Sequence, residues 1–235
     1  MKKDSALVLF SGGQDSTICL IWACKNFKKV ETIGFEYNQR HLVEMKCRTS
    51  IIRKLKENVN YGSIIGKDHI IDLSILSEIS ETALTKRADI KILKNGLPNT
   101  FIPGRNLIFF TMASAVGYKR NIFNFVGGMC ETDFSGYPDC RQSTLESQQL
   151  TLSLGLEKKI IIHTPLMNMS KSDSWKLAYD LGKESLINMI IEETHTCYLG
   201  DRNILHEWGY GCGLCPACKL RAKGFIDWKK INDNI

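Results

Sequence analysis

Two stretches carry residue types at spacings that can do chemistry. The first, SGGQDST at residues 11–17, follows five apolar residues and runs into an apolar helical segment. Two adjacent glycines let the backbone approach a bulky anion and take positive φ at little cost. The unpaired N–H groups and positive dipole end of the following helix face the same point. Ser11, Ser16 and Thr17 add hydroxyls. Such a turn suits phosphate. The turn itself has no lysine, and neither G-x-x-x-x-G-K-[ST] nor G-x-G-x-x-G occurs in the chain, which argues against γ-phosphate transfer and against a dinucleotide turn. The plain alternative is a glycine-rich turn with a Ser or Asp helix cap.

The second stretch is the cysteine tail. Cys197, Cys212, Cys215 and Cys218 follow C-x14-C-x2-C-x2-C. Four thiolates at this spacing match one tetrahedral structural zinc per chain. Gly211 and Gly213 let the backbone fold round an ion, and Lys219 and Arg221 offset thiolate charge. C-x2-C-x2-C beside Pro216 also partly resembles an iron–sulfur run, although no fourth cysteine follows shortly. Unmetallated thiols are the third reading. A closed four-thiolate site has no open position for catalysis. Residues after 196 include few apolar side chains, so the ion is expected to replace a core there, worth on the order of 10 kcal/mol. Cys19, Cys24, Cys47, Cys130 and Cys140 read as packing residues.

These stretches need elements to position them. Apolar periodicity predicts strands at 6–10, 30–36, 67–73, 121–127 and 158–163. Helices are predicted at 14–27, from about 42 to 58, and at 74–80, 106–118, 142–155, 170–181 and 184–191. Residues 81–101 are polar and aperiodic and read as a lid. Five strand–helix alternations predict an α/β fold, a parallel five-stranded sheet with helices on both faces. Ligands then bind beyond the C-terminal strand ends.

Bulk properties narrow the class. The 235 residues are 43% hydrophobic and 24% charged, which excludes a disordered or collagen-like chain. No apolar run approaches membrane-spanning length and no secretory leader opens the chain, so a cytoplasmic protein without a membrane partner is expected. Nine cysteines in that setting argue against a disulfide framework. The net charge of +6 is scattered and favours anionic ligands over a concentrated nucleic-acid footprint.

SGGxDS after a strand resembles the PP-loop of ATP-pyrophosphatases, which cleave between the α- and β-phosphates. Together, FSGGQDSTICL (10–20), YNQRH (37–41), IPGRN (102–106), GGMCETDFSGYPDCR (127–141) and CGLCPACKLRAKGF (212–225) resemble the 7-cyano-7-deazaguanine synthase family of queuosine biosynthesis. The resemblance spans nearly the whole chain. Asn38 departs from the family's usual glycine, and a long insertion separates Cys197 from Cys212.

The resemblance implies that 7-carboxy-7-deazaguanine, ammonia and ATP give the 7-cyano compound through carboxylate adenylation, an amide and then a nitrile. It implies an adenine nucleotide alpha-hydrolase-like PP-loop domain at 1–191 and a zinc-binding helical region at 192–235, with ATP, Zn2+ and Mg2+ as cofactors. Phe10, Ser11, Gly12, Gly13, Gln14, Asp15, Ser16, Thr17, Ile18, Cys19 and Leu20 form the ATP-binding stretch, with Gln39 and His41 toward adenosine. Asp15 would position Mg2+, and Arg105 would take phosphate or the substrate carboxylate. Asp133, Asp139 and Arg141 are candidates for Mg2+ or the base edge, Tyr137 for stacking, and Lys171 for substrate or adenylate. The plain readings are helix-start packing for Arg105, Asx-turns for the aspartates, a core tyrosine and surface cations. His69, His163, His195 and His206 carry no motif and read as surface or packing. A homodimer is implied, without direct nucleic-acid binding. The rival readings are a PP-loop tRNA-modifying enzyme and a non-catalytic zinc module that binds nucleic acid.

Overall fold

The computed structural model describes residues 2–39, 43–80, 82, 91, 93–94, 96–131 and 137–232. Its sheet has five parallel strands: β1 (Lys3–Leu9), β2 (Phe27–Glu36), β3 (Ile65–Asp72), β4 (Asn124–Val126) and β5 (Ile161–His163). Their order is β3–β2–β1–β4–β5, as the α/β expectation requires. The chain leaves the central strand β1 in one direction for β2 and β3, then returns beside it as β4. A crevice opens beyond the strand ends at such a reversal.

β1 shows why the sheet is covered on both sides. Ala6 and Val8 join one buried cluster with Ile18, Ile21 and Trp175. Leu7 and Leu9 point the other way, into a cluster with Ile33, Phe110 and Phe125. Alternating side chains that are apolar on both faces make a central strand.

The helices are α1 (Gln14–Asn26), α2 (Val43–Glu57), α3 (Ile75–Ile79), α4 (Arg105–Arg120), α5 (Gln142–Leu156), α6 (Lys171–Glu193) and α7 (Pro216–Asn232). The segment after α1 differs from expectation. Phe27 closes the helix and already has extended backbone, so β2 begins without a loop. The two helices expected between 170 and 191 are both present within α6, separated by a kink at Lys183 (φ 53°, ψ −153°). Ser170 and Asp173 start α6 with a reciprocal capping box. Most of the segment expected as a lid lies outside the described residues.

The tail corrects another expectation. It carries a short antiparallel pair, β6 (Leu205–His206) and β7 (Gly209–Tyr210), before α7. Trp208, Ala217, Phe225 and Trp228 join the main buried cluster instead of leaving the tail without a core. Trp175 meets Phe225 edge-on at 5.0 Å and stacks with Trp228 at 6.1 Å. A few aromatics bury enough area to seat α7 on α6 despite the low apolar count. Among the described residues no helix is long and apolar enough to cross a membrane.

Candidate active site

A cavity of about 800 Å3 lies across the C-terminal strand ends. The glycine turn after β1 forms one wall. Gly12 has φ +91°, and a Cβ there would sit 2.6 Å from the Glu44 carbonyl oxygen and 2.7 Å from Arg48 N. Both the turn and the close approach therefore require glycine. Gly13 caps α1, and the Ser16 and Thr17 hydroxyls donate to its carbonyl at 3.1 and 2.8 Å. Ser11 Oγ and Ser16 Oγ share a hydrogen bond of 3.1 Å. Phe10, Ser11, Gln14, Asp15 and Ser16 line the cavity. Thr17, Ile18, Cys19 and Leu20 are fully buried, so their side chains belong to the core of α1.

Lys171, the first residue of α6, reaches across to this wall. Its Nζ donates to both Asp15 carboxylate oxygens, at 2.9 and 3.1 Å. The cavity collects six basic side chains, Lys91, Arg105, Lys171, Lys219, Arg221 and Lys223, against the acidic Asp15 and Glu44. That excess suits a polyanion.

The opposite wall is aromatic. Phe35 stacks on Phe109 at 4.2 Å. The Arg105 guanidinium lies 5.9 Å from the ring centres of Tyr37, Phe109 and Tyr137. Burial opposes its charge, but Tyr37, Tyr137, Asp139 and Cys140 around it hold its pKa above the usual arginine range. Tyr137 hydrogen-bonds Thr100 at 2.5 Å, and Gln39 accepts from the Tyr37 N–H at 2.9 Å. Both line the cavity.

Asp139 and Arg141, the candidates for Mg2+ or the base edge, stand apart from the cavity lining. Asp139 is buried and accepts from Asn106 N at 3.0 Å, so it caps the first turn of α4 and steadies Arg105. Arg141 is exposed at the start of α5. His41 and Asp133 lie outside the described residues.

The four tail cysteines converge, with their sulfurs all within 4.8 Å of one another. Cys212 and Cys218 sulfurs are 3.9 Å apart, and Cys197 and Cys215 4.0 Å. A tetrahedral ion with Zn–S of about 2.3 Å needs sulfurs about 3.8 Å apart, so the set fits a metal ion. Leu214 and Cys215 N–H groups donate to Cys212 Sγ at 3.4 and 3.3 Å. A Cβ at Gly211 would stand 2.6 Å from Cys218 Sγ. Cys197 and Ala217 also line the cavity.

Sequence reasoning missed several side chains that tie these walls together. Arg48 is fully buried under the turn, donating to the Phe10 carbonyl, to Asp68 and to the His69 carbonyl. A charge on the apolar stripe Met45–Ile52–Leu55 of α2 was the available signal. His195 is also fully buried; its N–H reaches the Gly12 carbonyl at 3.3 Å and its Nε2 donates to the Cys197 carbonyl at 3.1 Å. Arg221, expected to balance thiolate charge, spends its donors on the Ile190 and Trp208 carbonyls and the Thr196 hydroxyl. Burial lowers its pKa to about 10.

Comparison with known proteins places this geometry. The family model described as queuosine biosynthesis protein QueC matches residues 5–229. The 7-cyano-7-deazaguanine synthase of Janthinobacterium sp. (strain Marseille) is 55% identical over 226 residues, 96% of each chain. That of Zymomonas mobilis subsp. mobilis is 49% identical over 231 residues, 98% of this chain and 91% of its own. A 4-thiouridine synthetase, solved as an RNA complex with bound ATP, superposes with a TM-score of 0.54 at 16% identity, covering 98% of this chain and 53% of its own. That last likeness is one of fold.

Proposed function

The chain belongs to the queuosine biosynthesis protein QueC family, and from that premise we propose that it is a 7-cyano-7-deazaguanine synthase. The observation that carries this reading is the match to synthases at 49–55% identity over nearly the whole chain. The cavity supports it chemically. A carboxylate on an electron-rich pyrrole ring is a poor electrophile. Its oxygen attacks the α-phosphorus of ATP, giving an acyl adenylate and releasing pyrophosphate. Ammonia displaces AMP, loses a proton and leaves the amide. A second ATP adenylates the amide oxygen, releasing a second pyrophosphate and one amide proton, and loss of AMP and the remaining N–H proton gives the nitrile.

The glycine turn suits the pyrophosphate, through main-chain N–H groups and the α1 dipole. Lys171, held by Asp15, lies where charge develops as pyrophosphate departs, which is the dominant kind of catalytic stabilisation. Asp15 with the polyphosphate suits Mg2+. Arg105 suits the substrate carboxylate, and Tyr137 and Tyr37 suit the flat heterocycle. The phosphate chemistry belongs to residues 1–191. The region 192–235 binds one structural Zn2+ through Cys197, Cys212, Cys215 and Cys218, which leaves no site for a reacting ligand. The enzyme is read as a cytoplasmic homodimer that takes small molecules rather than nucleic acid.

The test mixes protein, Mg-ATP, ammonium and 7-carboxy-7-deazaguanine and follows AMP, amide and nitrile by mass spectrometry. AMP that depends on the deazapurine, followed by amide and nitrile, is the expected result. AMP made without it overturns the reading. Metal analysis of protein purified without oxygen decides zinc against iron.

A further inference from the structure

Glu44 is a carboxylate without an evident employment. It is the second residue of α2, half-buried on the cavity wall. Among the described residues its side chain takes no hydrogen bond, and the charge acting on it is that of the Arg105 guanidinium. Burial pushes its carboxyl up to about 7. Its main chain has little freedom, because its carbonyl packs against Gly12. A desolvated carboxylate with no donor is destabilising, so the site suits a ligand that brings N–H groups.

The surroundings define that ligand's shape. The same cavity is lined by Tyr37, Phe109 and Tyr137, grouped around Arg105, whose charge acts on Glu44 and whose Nε is buried with no partner among the described residues. Aromatic faces of this kind suit a planar heterocycle, which can stack on one of them. A carboxylate offers two parallel acceptors, which match two adjacent in-plane N–H donors. A 2-aminopyrimidin-4-one edge presents such a pair, the ring N–H and the exocyclic amino group. Adenine presents an acceptor and a donor at its pairing edge and leaves one carboxylate oxygen facing a lone pair.

Resting on the reading above, we propose that Glu44 is the specificity residue of the substrate site, accepting the ring N–H and the 2-amino N–H of the deazaguanine while Arg105 faces the same ring system. Glu44 thereby rejects adenine from the slot meant for the substrate.

Glu44→Gln keeps the shape and replaces one acceptor by a donor. Calorimetry on the metal-loaded protein measures binding of 7-carboxy-7-deazaguanine and of its analogue lacking the 2-amino group. The intact enzyme is expected to prefer the amino compound by about 10- to 100-fold, the range of a bidentate pair. The variant loses that preference, and its KM for ATP stays within about twofold, the margin for a group that does not touch the nucleotide. Equal preference in the two proteins, no binding of the deazapurine by the intact one, or a raised KM for ATP with unchanged deazapurine affinity overturns the proposal. Turnover separates the two ideas: selective binding that Glu44→Gln abolishes, without deazapurine-dependent AMP, upholds the Glu44 contact and removes the synthase reading.

Discussion

The glycine turn after β1 and the cysteine knuckle before α7 face one cavity from opposite ends of the chain, held there by different forces. The turn grows out of the central strand, hydrogen-bonded on one side to β2 and on the other to β4. Its hydroxyls bond within the turn, and Arg48 braces it from below. The knuckle has only two-residue strands on its N-terminal side and relies on four sulfurs and the aromatic seat of α7. One wall of the site is therefore secured by the folding of the sheet, and the other by ligation added to modest packing.

Breaking the ligation has the largest expected effect. A structural zinc contributes on the order of 10 kcal/mol, comparable with the whole stability of a domain, about 5–15 kcal/mol. Cys215→Ser is expected to lose the metal and unfold the tail while amides of β1 and β2 stay protected. Metal analysis with hydrogen exchange reads both; simultaneous loss of β1 protection would erase the distinction between the walls. Trp228→Ala comes next, at about 3–5 kcal/mol for a large buried ring. A melting temperature unmoved by that change would mean that ligation alone holds the tail.

Gly12→Ala attacks the other wall. The new Cβ would meet the Glu44 carbonyl oxygen and Arg48 N at under 3 Å, so the turn must shift, and a misplacement of about 1 Å costs about a hundredfold in turnover. Metal content should be unchanged, and a normal rate would show that the turn's geometry is not what secures this wall. Acid sharpens the comparison least, and at the far edge of the sheet. His163 lies against Trp22 and Phe27, and burial, with the charge of Lys3, lowers its pKa to about 4 from an ordinary 6.5. The unfolded chain then binds the extra proton, so stability present above 6.5 is lost as pH falls toward 4. His163→Gln should flatten that decline in melting temperature; an unchanged slope assigns acid sensitivity to other groups, the cysteine thiolates first.

Legibility in the sequence divides along the same line as range. Strand periodicity, the SGGQDS turn and the cysteine spacing are local patterns, and the sheet, the turn and the sulfur cluster follow them. Arg48, Glu44 and His195 stand alone in unremarkable segments, and each gains its meaning from partners far along the chain. Asp139 sits in a legible motif, yet its hydrogen bond to the first turn of α4 was not legible, because that partner lies 33 residues away. The tail's core is not legible because a count of apolar residues underrates two aromatic rings, Phe225 and Trp228, placed against Trp175.

The contact between His195 and Gly12 has a consequence for the order in which the protein is made. The turn emerges from the ribosome well before His195, and β2 can pair with β1 soon afterwards. The hydrogen bond on the Gly12 carbonyl waits until His195 has been synthesised, and His195 is in turn bonded to a cysteine whose three companions are translated still later. A chain cut before His195 thus keeps the sheet and Arg48 that shape the turn but lacks this hydrogen bond, so the last tie between the phosphate-binding turn and the tail is made only when the tail folds.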